Sequence, residues 1–209
     1  MSDVRATATT VVRRTRRLLR PPLTGDGLLL VGFVEGLVGW PLSWVVVTQG
    51  VAPFGPLTTV VVLWGVLTAA IVAVGWFATA PTVRRNDVWT VWGVLILIAT
   101  GANVLGVVHL SGVAETLPEA LLQYAFFHPW LAAFGGGYLV TALLSREDRR
   151  LGRAERVGYG LAGVASLLVL AFAFSSRANS ALTVQYVFHV GAVLYLAPIG
   201  FDLAYDTLR

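Results

Sequence analysis

Residues 56–79 read PLTTVVVLWGVLTAAIVAVGWFAT, without one charged side chain from end to end. A helix needs about 20 apolar residues to cross the roughly 30 Å hydrocarbon core of a bilayer, so this stretch alone predicts a membrane-spanning segment. The rest of the chain agrees. Of its 209 residues, 56% are hydrophobic and 12% charged, with a mean hydropathy of +0.76, whereas a soluble domain carries about 25% charged residues.

Working outward from that stretch, the same length and polarity recur. Six spans are predicted, at Gly27–Gln49, Pro56–Thr79, Val88–Leu110, Leu117–Leu144, Val157–Ser175 and Leu182–Tyr205. The fold class is therefore an all-α polytopic membrane bundle, with residues 27–209 as one transmembrane domain. Helix-start signals punctuate it. Asp26 stands where an N-cap belongs, Gly55-Pro56 opens the second span, Asn86 the third, and Thr116 with Glu119 has capping-box spacing before the fourth.

Charge sets the orientation. All 15 basic residues are arginine. Six precede the first span (Arg5, Arg13, Arg14, Arg16, Arg17, Arg20), and Arg84 and Arg85 follow the second. Arg146, Arg149, Arg150, Arg153 and Arg156 follow the fourth, and Arg209 ends the chain, so that only Arg177 falls on the other side. Positive residues resist translocation, which predicts cytoplasmic N- and C-termini in the cell membrane. Aromatic residues mark both borders: Trp44, Tyr124 and Tyr186 near outer ends, Trp76, Trp89, Trp92, Tyr159 and Tyr205 near inner ends. The pI of about 10 comes from these flanking arginines, so nucleic-acid binding is excluded as its explanation.

Residues 1–26 form a basic amphipathic segment in which Val11, Thr15, Leu18 and Leu19 share one helical face before Pro21-Pro22 ends it. Two readings stand: a helix lying on anionic lipid of the inner leaflet, or an orientation signal in a polar tail. The twin arginines do not read as an export signal, since no small-residue cleavage site follows and five further spans do. Absence of cysteine removes disulfides, thiolate metal sites and cysteine nucleophiles together. The longest internal loop, Ser145–Arg156, has 12 residues, too few for a soluble catalytic domain, although its mixed charges offer a docking surface to a protein partner in the membrane. No Gly-x-Ser-x-Gly or His-Glu-x-x-His pattern occurs, and the chain is read as non-enzymatic.

Ionisable groups inside a span cost about 2.5–3.5 kcal/mol on insertion scales, so each calls for a partner or a purpose. Glu35 is about 12 Å from the inner edge of the first span, on a stripe with Gly32, Gly36, Gly39 and Ser43, just before Pro41. His128 and His189 fall at similar depths on the fourth and sixth spans. Pro129 deprives the carbonyl of Ala125 of its helical partner, which leaves an acceptor beside His128. His109 and Asp202 lie near the borders and carry less weight. The candidate site is thus Glu35 as a protonatable group with His128 and His189 as ligands or hydrogen-bond donors. Three functional classes follow: a small carrier with an intramembrane polar site, a membrane subunit or scaffold of a larger complex, and an electron-transfer subunit holding haem b between His128 and His189.

Overall fold

The computed structural model describes residues 20–144, 151–174 and 184–205. The amphipathic segment before Arg20, Arg146, Arg149, Arg150, Arg177 and Arg209 lie outside the described residues. Within them the chain is all-helical, in eight helices: α1 Gly25–Gln49, α2 Pro56–Phe77, α3 Pro81–Arg84, α4 Asp87–Leu110, α5 Glu119–Leu122, α6 His128–Leu144, α7 Arg153–Ala173 and α8 Val184–Tyr205. Five of them (α1, α2, α4, α7 and α8) are long and apolar enough to cross a membrane.

Helix starts follow the local chemistry with two corrections. Asn86 Oδ1 accepts from Val88 N at 2.7 Å, and Pro56 opens α2 behind Gly55, whose φ of 82° suits glycine. The N-cap of α1, however, is Thr24, whose hydroxyl oxygen accepts from Gly27 N, with Asp26 in the first turn. The Thr116–Glu119 capping box does not form: Thr116 Oγ1 donates to Leu105 O at 2.7 Å, and Pro118 precedes α5. The fourth predicted span is divided as a result. After α5 the chain turns through residues 123–127 and α6 begins at His128, with Pro129 in its first turn, where a missing N–H costs no hydrogen bond.

The long helices form a closed ring in chain order: α1, α2, α4, α6, α7 and α8 each pack on the next, and α8 returns to α1. Neighbours run antiparallel. Thr68 meets Thr100, Trp92 meets Thr141, His128 meets Ala173 and Tyr159 meets Asp202 across successive seams. At one end the lead into α1 is tied to the end of α2 by Leu23 N donating to Ala78 O at 2.7 Å and Ala80 N donating to Leu23 O at 3.0 Å.

Glycines make the seams close. A Cβ on Gly36 would stand 2.4 Å from the ring of Tyr195, one on Gly191 2.3 Å from Trp40, one on Gly75 2.2 Å from Trp89 and one on Gly137 2.6 Å from Trp92. The stripe Gly32, Gly36, Gly39 and Ser43 is buried throughout, and it receives aromatic rings from α2 and α8. Large apolar side chains face outward on the same helices, among them Leu37, Ile98, Leu161, Leu168 and Val193. An exterior of this kind is suited to lipid and would be a liability in water.

Candidate functional site

The ring encloses a cavity of about 590 Å³ to which all six long helices contribute: Glu35 from α1, Trp64 from α2, Trp92 from α4, Trp130 and Tyr138 from α6, Tyr159 from α7 and Tyr195 from α8. Exposed Thr24 and Thr82 stand at its mouth, at the end where α1 and α4 begin. Toward the other end, Trp40, Trp64, Trp130 and Phe134 close a cycle of rings. Successive centroids are 5.0 Å (Trp40 to Trp64), 5.5 Å (Trp64 to Trp130), 6.1 Å (Trp130 to Phe134) and 6.4 Å (Phe134 to Trp40) apart. Their tilted and edge-to-face arrangement is the one that favours aromatic clustering.

Among the described residues Glu35 is the only carboxyl well inside this space; Asp26, in the first turn of α1, is the other acidic residue lining it. Neither arginine nor histidine is among the described lining residues. Glu35 Oε2 is buried without a hydrogen-bond partner among the described residues. The glycines on its face explain its setting. With Gly32 and Gly36 there, the Tyr195 ring lies flat on α1 and its hydroxyl donates to Gly32 O at 3.1 Å.

Six other polar side chains of the inner wall are engaged with protein acceptors. Trp64 Nε1 donates to Ser43 Oγ at 2.9 Å, Trp92 Nε1 to Thr141 Oγ1 at 2.9 Å and Trp130 Nε1 to Asn103 Oδ1 at 2.7 Å. Tyr138 donates to Tyr195 O at 2.8 Å, Tyr159 to Asp202 Oδ2 at 2.5 Å and Thr141 Oγ1 to Gly137 O at 2.8 Å. These bonds fix the rings that make them, while Trp89 Nε1 and Asn86 Nδ2, toward the mouth, have no acceptor among the described residues.

The two histidines of the sequence reading stand apart from this cavity; neither lines it. His128 lies at the final turn of α7, where its Nε2 is 3.2 Å from Ala173 O, and its ring packs against Tyr124 and Phe174 with both centroids 4.9 Å away. Ala173 O is one of the last carbonyls of α7, which have no partner within the helix, so His128 caps that end. The imidazole Nδ1 is buried without a partner among the described residues. His189 is exposed on α8 beside Trp44, whose ring centroid is 6.5 Å away, in a shallow groove with Trp40, Pro41 and Phe188 that does not include His128. Among the described residues no group of three or more His, Cys, Asp and Glu side chains is placed to hold a metal ion. His109 Nδ1 accepts from Leu117 N at 3.4 Å at the border of α4.

Residues that carried little or no weight in the sequence prove central. Asp202, expected to reach water near a border, is fully buried and accepts from Tyr159. Trp89 and Trp92, expected at the membrane border, line the cavity. Asn103 holds the break before α6: its Nδ2 donates to Ala125 O at 2.7 Å and to Phe126 O at 2.8 Å while its Oδ1 accepts from Trp130. The freed carbonyl of Ala125 therefore does act as an acceptor, but for an amide of α4. A lone asparagine in the apolar run of residues 88–110 was the available signal. The chain matches no family model, no curated protein and no solved structure.

Proposed function

We propose that the chain is a cell-membrane protein of six spans with both termini cytoplasmic, and that it works as a small non-enzymatic carrier whose site is the cavity around Glu35. The orientation rests on the arginines, fourteen of which fall on one side in the six-span reading. One observation carries the choice of carrier over scaffold. A scaffold needs packed helices and no ligand space, whereas here six helices surround about 590 Å³ lined in part by Glu35, whose Oε2 is buried without a hydrogen-bond partner among the described residues. That volume is within the roughly 300–1,000 Å³ typical of small-molecule sites. An ionisable group at such depth costs too much to be incidental.

The test is flux. Purified protein is reconstituted into liposomes loaded with a pH-sensitive dye, a membrane potential is imposed, and proton entry is followed for wild type, Glu35→Gln and empty vesicles. A carrier with Glu35 as its protonatable group gives wild-type flux well above empty vesicles and a fall of tenfold or more in the variant. Equal rates in all three preparations would return the chain to the scaffold class.

A further inference from the structure

We propose that the ligand of the central cavity is a lipophilic organic cation, an amine or quaternary onium ion held between the carboxyl of Glu35 and the indole and phenol rings around it. This rests on the reading of the cavity as a ligand site and adds the chemical class of what it takes. The ground is an account of donors and acceptors. Three indole N–H groups and three tyrosine hydroxyls of the wall are all donated to protein acceptors: Trp64 to Ser43, Trp92 to Thr141, Trp130 to Asn103, Tyr138 to Tyr195 O, Tyr195 to Gly32 O and Tyr159 to Asp202. An anion entering the inner cavity would meet none of these protons, and among the described residues no arginine or histidine lines the space. Glu35 Oε2 is buried without a partner among the described residues, and the inner wall otherwise offers the negative faces of the rings; the indole N–H groups that have no acceptor there, those of Trp40 and Trp89, lie toward its two ends.

Cations are attracted to the faces of tryptophan and tyrosine by the ring quadrupole, most strongly where water is excluded, and aromatic cages are the usual recognition device for quaternary ammonium groups. The anchored N–H groups help here, since a ring held by its edge cannot turn its positive edge toward the ligand. A neutral apolar molecule would fill the same space but would leave the carboxyl oxygen unanswered, which is costly for a buried polar group.

The test compares ligands of one shape and opposite charge. The full chain in detergent micelles is titrated with tetraphenylphosphonium, with tetraphenylborate and with neutral triphenylmethane, and saturable binding is measured by equilibrium dialysis and by quenching of tryptophan fluorescence. Tetraphenylphosphonium is expected to bind at least tenfold more tightly than either of the others. Glu35→Gln should weaken it by tenfold or more and leave triphenylmethane within twofold, while Glu35→Asp should retain most of the cation affinity. The wild-type comparison needs no variant, so a variant that fails to fold does not remove the test. Tetraphenylborate binding as tightly as tetraphenylphosphonium, or triphenylmethane binding saturably where the cation does not, would overturn the cation assignment and leave the cavity a ligand site. Absence of saturable binding by all three, together with flux equal to empty vesicles, would overturn both.

Discussion

Replacing Asn103 by leucine should destabilise the protein more than any other single polar substitution in α4. Leucine matches asparagine in the number and branching of its side-chain heavy atoms and is larger, so it leaves no room for water, yet it strands three groups at once: Ala125 O, Phe126 O and Trp130 Nε1, now bonded at 2.7, 2.8 and 2.7 Å. In a soluble protein each stranded buried group would cost about 1–3 kcal/mol. Within a bilayer the measured hydrogen-bond contributions are smaller, averaging about 0.6 and reaching about 1.7 kcal/mol, because the unfolded chain in lipid finds other partners. Three bonds on that scale give a loss of about 2–5 kcal/mol. The upper half is favoured because residues 123–127 lie outside any regular helix and have few alternative backbone bonds to fall back on. Reversible unfolding by dodecyl sulfate in mixed micelles, followed by tryptophan fluorescence, measures the loss directly. Trp130 reports locally, since its N–H loses its only recorded acceptor. A stability within about 0.5 kcal/mol of wild type, the usual range for an inconsequential surface change, would refute the assignment of Asn103 as the clamp of the helix break.

Three further outcomes follow from the same coordinates. Tyr159→Phe removes a donor from fully buried Asp202 and should cost about 0.6–1.7 kcal/mol in the same unfolding assay; an unchanged midpoint would count against that bond. Gly36→Ala places a methyl group 2.4 Å from the Tyr195 ring, whereas a Cβ on Gly65 meets nothing within 4 Å. The first should lower thermal stability in detergent by about 1–3 kcal/mol and the second should leave it unchanged or raise it slightly, equal losses being the contrary result. The native chain has no cysteine, so single cysteines report topology without background: a membrane-impermeant maleimide applied to whole cells should label Ser111→Cys and leave Arg85→Cys unlabelled, and the reverse pattern would invert the proposed orientation.

What the sequence made legible depended on how local the signal was. The spans at α1, α2, α4, α7 and α8 come from runs of apolar residues that no other structure explains, and the caps at Asn86 and Gly55-Pro56 from chemistry within a few residues. The fourth stretch misled because hydropathy continues unbroken across residues 117–144 while the helix does not. Pro118 and Pro129 both appear in the sequence, but a proline is compatible with a kinked helix as well as with a fresh start. Only the amide of Asn103, twenty-two residues before Ala125, decides between them. Glu35 and its small-residue stripe were legible because ionisable groups in apolar runs are rare. The cavity was not, since it depends on which faces of six helices meet, and Trp92 or Tyr159 looks the same in a sequence whether it borders lipid or a ligand. His128 drew attention as an ionisable ring, yet its use at the end of α7 depends on a carbonyl 45 residues away.

The cavity also has a physical reason to stay open. In water, an apolar-walled space of this size would be under pressure to close, because burying apolar surface is the main driving force of folding. In a bilayer the surrounding lipid tails are as apolar as leucine, and helices associate through close packing and hydrogen bonds instead. The seams of this ring are built accordingly: aromatic rings seated on Gly36, Gly75, Gly137 and Gly191, and polar bonds between α1 and α2, α4 and α6, α6 and α8, and α7 and α8. Each ring that lines the space and is anchored by its N–H or O–H acts as a strut, because rotating it inward to fill the void would break a bond that lipid cannot replace. The outward apolar residues lose nothing by staying where they are. Packing at the seams and an open lumen at the centre are therefore consequences of one arrangement, in which the ring is fastened at its edges and Glu35 is left among the residues that line the space between.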